Sequence, residues 1–260
     1  MIDRYEETSV GVIYYSVIIV LLKIGDKRNK NDMKKRYKAV LFDFDYTLGD
    51  STEGIVKSIA YALEQLGEQP QELENIRKTI GMTLKEAYRI LTGNMDEERV
   101  VSFETYFKQK ADEVMVDGTN LYEPTRQMME SLREQGCKIG IVTTKYHYRI
   151  DAILAKFGMS HMVDVIVGGD DVKKQKPEPD GLFHAMKSLG VADEEMLYVG
   201  DNVIDAKAAK SAGVDFGAVL TGTTQELEFA IYPKKVVAKD LHGLMSFLRD
   251  ENKILGEYEM

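Results

Sequence analysis

The stretch "KAVLFDFDYTLGDS", residues 38–51, sets two carboxylates, Asp43 and Asp45, at the end of an apolar run, with Thr47 two residues further on. Val, Leu and Phe without polar interruption read as a strand buried on both faces, as in a parallel sheet. Side chains alternate along a strand, so Asp43 and Asp45 point the same way. Like charges that close repel. A positive group is expected between or beside them.

Working outward, similar runs recur. "KIGIVTT" (138–144), "VDVIVGG" (163–169), "MLYVGD" (196–201) and "VDFGAVL" (214–220) read as further strands, with "KVVAK" (235–239) as an edge. Between them "TRQMMESLREQG" (125–136), "YRIDAILAKFG" (148–158), "DGLFHAMKSLG" (180–190) and "IDAKAAKSAG" (204–213) have helical patterns, each ending near a glycine that can stop a helix. A last helix is expected over 240–252. Strands alternating with helices predict an α/β fold with a doubly wound parallel sheet, Rossmann-like. The alternation breaks once. Residues 53–67, "EGIVKSIAYALEQLG", place Ile55, Ile59, Leu63 and Leu66 on one helical face, and helical patterns continue to about 115. The expected organisation is a core of residues 37–51 and 121–252, interrupted by an all-helical insert at 52–120. A tail covers 253–260.

In an open parallel sheet, ligands bind beyond the carboxyl ends of the strands. The polar residues of this chain collect there. Asp43 and Asp45 end the first strand, and Thr143 and Thr144 end the second. Asp201 ends the fourth in "YVGDNVIDAKAAKSAG", with Asp205 four residues on, and Lys176 precedes Pro177 in "KKQKPEPDGL". Several carboxylates in one crevice need a hard divalent cation, and Mg²⁺ suits few carboxylates, water and a substrate phosphate. A lysine and a threonine hydroxyl beside it suit a phosphoryl group. One aspartate can attack phosphorus and carry it as an aspartyl-phosphate. A second can protonate the departing oxygen and then take a proton from water. Strand pleat decides which of Thr143 and Thr144 faces the crevice.

Composition narrows the partners. The formal net charge of −9 argues against nucleic acid, whose phosphates call for a basic footprint. The single cysteine, Cys137, excludes an internal disulfide, so a cytoplasmic location is expected. Four scattered histidines form no zinc motif. The apolar run "VGVIYYSVIIVLL" (10–22) is shorter than the roughly 20 residues of a spanning helix. It follows an acidic stretch rather than the basic one of a signal peptide. Residues 1–36 are read as a poorly packed extension rather than a membrane anchor, with Met33 as an alternative start.

These motifs, taken in order, resemble those of the haloacid-dehalogenase-like superfamily, in particular its phosphoglycolate-phosphatase-like members with a helical cap. The resemblance covers residues 38 to about 250 and rests on "FDFDYT", "GIVTT", Lys176 in "KPEPDG", and "GDNVID". It implies Asp43 as nucleophile and metal ligand. It implies Asp45 as general acid/base, with its backbone carbonyl on the metal, and Asp201 as a further ligand. Asp205 would hold the metal's waters or Lys176. Thr143, or Thr144, would bind phosphate with Lys176 and Thr47. The insert would be the cap. Tyr46 departs from the glycine usual in such capped phosphatases. The implied activity is Mg²⁺-dependent hydrolysis of a small phosphorylated metabolite: phosphoglycolate, a sugar phosphate, a nucleotide or pyrophosphate. A phosphomutase on the same scaffold would share these motifs. A dehalogenase would lack the second aspartate, and a non-enzymatic phospho-receiver domain would lack the insert. The sequence does not give the oligomeric state.

Overall fold

The computed structural model describes residues 37–252. The expectations for residues 1–36 and for the tail at 253–260 lie outside that range. Six parallel strands form the main sheet: β1 (Ala39–Phe42), β4 (Lys138–Val142), β5 (Val165–Val167), β6 (Met196–Gly200), β7 (Asp215–Val219) and β8 (Val236–Ala238). Their order is β5-β4-β1-β6-β7-β8. From β1 the chain winds outward one way to β5, then returns to β6 on the other side. The switch point therefore lies between β1 and β6, with Asp43 and Asp201 each one residue past the end of its strand.

Pleating explains the continuous apolar runs. In β1, Val40 and Phe42 enter one core and Ala39 and Leu41 the opposite one. The first core is closed by α5 (Thr125–Glu134), α6 (His147–Lys156) and α9 (Leu241–Asn252), through residues such as Met129, Ile153 and Leu244. The second is closed by α7 (Asp180–Leu189) and α8 (Val203–Ala212), through Leu182 and a row of small residues, Ala206, Ala208, Ala209 and Ala212. Both faces are dry, so neither needs polar residues in alternate positions.

Four helices follow between residues 51 and 120: α1 (Thr52–Gln65), α2 (Leu73–Arg77), α3 (Leu84–Thr92) and α4 (Glu97–Val114). Their ends follow local chemistry. Thr83 and Glu86 form a reciprocal capping box at the start of α3, and Gly93 closes it in the left-handed conformation. Asp96 caps α4. Ile59, Leu63, Tyr88, Phe103 and Met115 pack into a separate apolar cluster. Two short strands that the sequence pattern does not predict join insert to core. They are β2 (Gly49–Asp50) and β3 (Asn120–Leu121), paired antiparallel where the chain leaves and re-enters the core. Two residues are too few to show a period. No described helix is long and apolar enough to cross a membrane.

Candidate active site

After β1 the chain makes a tight turn in which the Phe44 carbonyl accepts hydrogen bonds from the N–H groups of Thr47, Leu48 and Gly49. Tyr46 takes a left-handed φ of 59°, which explains why a glycine is usual here. For a tyrosine this costs on the order of 1 kcal/mol. The insert supplies the compensation. The ring is buried in the insert's apolar cluster, its hydroxyl is 2.8 Å from Thr52 Oγ1, and the Arg77 guanidinium lies over it at 5.9 Å. The ring thus faces the insert and ties it to the turn. Tyr46→Phe keeps the ring and loses one hydrogen bond. It should cost about 1 kcal/mol and lower the melting temperature by roughly 2–4 °C. An unchanged melt would mean that the hydroxyl contributes nothing.

The turn delivers two buried carboxylates to two different lysines. Lys176 Nζ lies 2.9 Å from Asp43 Oδ1, and Lys145 Nζ lies 3.0 Å from Asp45 Oδ2. The positive group expected between the two acids is therefore a pair of lysines. Lys176 is buried and also donates to Asp205 Oδ1 at 2.6 Å and to the Tyr198 hydroxyl at 3.0 Å. Burial opposes its charge, but Asp205 and Asp43 outweigh that and lift its pKa above the usual lysine range. Asp205 Oδ2 accepts from the Asn202 N–H at 3.0 Å, so this acid both caps α8 and holds Lys176. The approach is close: a Cβ on Gly200 would meet the Asp205 carboxylate at 2.4 Å.

Asp201 is buried, and its Oδ1 accepts a 3.3 Å hydrogen bond from Thr47 Oγ1. Gly222 leaves room for its other oxygen, which a Cβ there would meet at 1.9 Å. Oxygens of Asp43, Asp201 and Asp205 all lie within 4.8 Å of one another. Of these three buried carboxylates, Asp43 and Asp205 are paired with the Lys176 ammonium and Asp201 is not. Burial, then repulsion from Asp205 and Asp43, pushes the Asp201 carboxyl well above its ordinary pKa. Burial raises Asp43 too, against the pull of Lys176.

This excess of negative charge fits a hard divalent cation, and the donor set is all oxygen. Asp43 Oδ1 is paired with Lys176 Nζ at 2.9 Å, whereas buried Asp45 Oδ1 accepts no hydrogen bond. Buried polar atoms are seldom left so. Asp205 belongs to the acidic cluster, but both its oxygens are engaged. Asp43 and Asp201 are the side chains free to ligate. The Asp45 side chain turns to Lys145 instead.

The threonines differ from expectation. Thr47 is buried and spends its proton on Asp201, so it supports that carboxylate and has no donor left for phosphate. Thr144 donates to the Gly81 carbonyl of the insert at 3.1 Å. Thr143 Oγ1 accepts from the Lys145 N–H at 3.3 Å, so its proton remains available. Two participants escape a reading of the sequence. Lys145, directly after "TT", has one signal, a cation at a strand's carboxyl end. Tyr198 reads as one more apolar residue of β6, but a buried hydroxyl calls for partners. It lies 2.9 Å from the Val142 carbonyl and 3.0 Å from Asp205 Oδ1.

Residues 40–219 match the family described as haloacid dehalogenase-like hydrolase. The chain belongs to that family. Among solved structures, a haloacid dehalogenase-like hydrolase from Bacteroides fragilis is 40% identical, with a TM-score of 0.78 over 80% of this chain and 100% of that one. A structure described as that of a "predicted phosphatase" from Clostridium acetobutylicum is 26% identical, with a TM-score of 0.77 over 83% and 100%. Among curated relatives, pyrophosphatase PpaX of Bacillus cereus strain AH820 is 29% identical over 218 residues, 84% of this chain and 99% of that protein. The family match spans the acid pair, both lysines and Asp201 with Asp205, so the charged residues of the site lie within it.

Proposed function

We propose that this hydrolase is a phosphatase that cleaves the phosphate ester of a small metabolite, with Asp43 as nucleophile. The observation that carries the reading is Asp43 itself. It is a buried carboxylate at the switch point, paired by Oδ1 with Lys176 Nζ and within 4.8 Å of oxygens of Asp201 and Asp205. The name of the Clostridium protein points the same way, and that of the Bacillus protein supports phosphoryl hydrolysis without the ester.

An Asp43 oxygen attacks phosphorus and the phosphorus–oxygen bond to the alcohol breaks. Asp45 gives a proton to the departing oxygen, so an alcohol leaves and Asp43 carries the phosphoryl group. Water then attacks phosphorus, Asp45 takes its proton, and phosphate leaves with the Asp43 carboxylate restored. Lys145 holds the Asp45 side chain by Oδ2, so Oδ1 is the atom that holds and moves the proton. Lys176 and the Thr143 hydroxyl bind the transferred group's oxygens. Asp205 and Tyr198 orient Lys176, and Thr47 orients Asp201. Mg²⁺ held by Asp43, Asp201 and the Asp45 carbonyl would neutralise charge on the phosphoryl oxygens. Helices α1–α4 serve as the cap that keeps water away.

Chelating divalent metal should abolish phosphate release from a panel of phosphorylated metabolites, and added Mg²⁺ should restore it. Full turnover in chelator would show that Asp201 holds no catalytic ion. A protein that releases no phosphate from any member in Mg²⁺ would sink the phosphatase reading.

A further inference from the structure

Between the core and the insert, a cavity of about 100 Å³ opens on Asp45. Asp45 gives its proton to the leaving group, so this is where the leaving group sits. Water-sized spheres occupy about 10–15 Å³ each on this scale, so the space holds a group of a few heavy atoms. The insert's part of the wall is largely apolar, with Ile55, Ile59, Ile80, Phe107 and Met115.

The charges on that wall are already matched. Two cations line the cavity, Lys145 and Arg149, and two acids, Asp45 and Glu104. Lys145 Nζ is 3.0 Å from Asp45 Oδ2. Arg149 is buried, with Nε and Nη2 donating to Asp112 Oδ1 at 3.1 and 2.7 Å and Nη2 also to the Lys108 carbonyl. Among the described residues lining the cavity, no cation lacks a carboxylate partner. Pyrophosphate would place there a departing phosphate of about two negative charges. Its desolvation would go uncompensated next to Asp45 and Glu104. A carboxylate, as in glycolate, meets the same obstacle with one charge.

Resting on the phosphatase reading, we infer that the substrate is the monophosphate of a small uncharged alcohol with an apolar body. Pyrophosphate is not the substrate, although PpaX bears that name. Apolar area removed from water by Ile55, Ile59 and Phe107 supplies the selectivity.

The test compares kcat/KM of the full chain in Mg²⁺ for n-butyl phosphate, 2-phosphoglycolate and pyrophosphate. Butyl phosphate should lead each of the others by about tenfold or more. Equal or better turnover of pyrophosphate or phosphoglycolate overturns the substrate class and leaves the phosphatase reading standing. Phosphate release from none of the three overturns the substrate class, and release from no member of the wider metabolite panel overturns the phosphatase reading as well.

Discussion

Asp43→Asn yields a folded protein whose kcat on any phosphate ester falls by at least about a thousandfold. An amide is a poor nucleophile toward phosphorus, and no other described carboxylate of the cluster can take over. Asp205 has both oxygens engaged, by Lys176 and by the Asn202 N–H. Asp45 is held by Lys145. Asp201 receives Thr47 and belongs to another strand end. The substitution keeps shape and removes one negative charge from a cluster that burial and repulsion already strain. Lys176 retains Asp205 as its partner. The melting temperature without metal should therefore stay within a few degrees of wild type, or rise. Phosphate-release kinetics and thermal unfolding on the same preparation check both parts. Residual activity above about one per cent would place the nucleophile elsewhere.

The fold is legible in the sequence because the sheet buries both faces. Strands such as β1, split between two cores, leave unbroken apolar runs that need no knowledge of their neighbours. The acids are legible because carboxylates at the ends of such runs have few structural reasons to be there. What stays hidden depends on pairing across the chain. Nothing near Thr47 shows that its proton goes to Asp201, 154 residues away. Nothing near Tyr198 shows that its hydroxyl meets Lys176 and Asp205. Tyr46 stands out as unusual, but its orientation follows from a positive φ and from the insert cluster it enters. Strands β2 and β3 are too short to leave any pattern. Local chemistry shows in sequence, whereas long-range hydrogen bonding shows only once the register is known.

Lys176→Met should lower the melting temperature by roughly 6–20 °C and abolish turnover. Lys176 Nζ is the ammonium within reach of both Asp43, at 2.9 Å, and Asp205, at 2.6 Å, and these acids are 1% and 0% exposed. Removing one partner of a buried ion pair costs about 3–5 kcal/mol, because the remaining charge stays desolvated. Here two carboxylates are stranded, with Asp201 adding repulsion. Methionine fills most of the volume, so the loss reads charge rather than packing. The total stability of such a domain is about 5–15 kcal/mol, so the variant remains folded but marginal. Millimolar Mg²⁺ should raise the melting temperature of the variant by more than it raises that of wild type. An ion on Asp43 and Asp201 then supplies the missing positive charge, and a ligand that binds only the folded state stabilises it. The metal arm reads out by thermal unfolding alone, without any substrate. An unchanged melt for Lys176→Met would show that the acids are hydrated or protonated in the folded state. Equal Mg²⁺ shifts in the two proteins would separate the ion from the Lys176 cluster and move the metal away from Asp43.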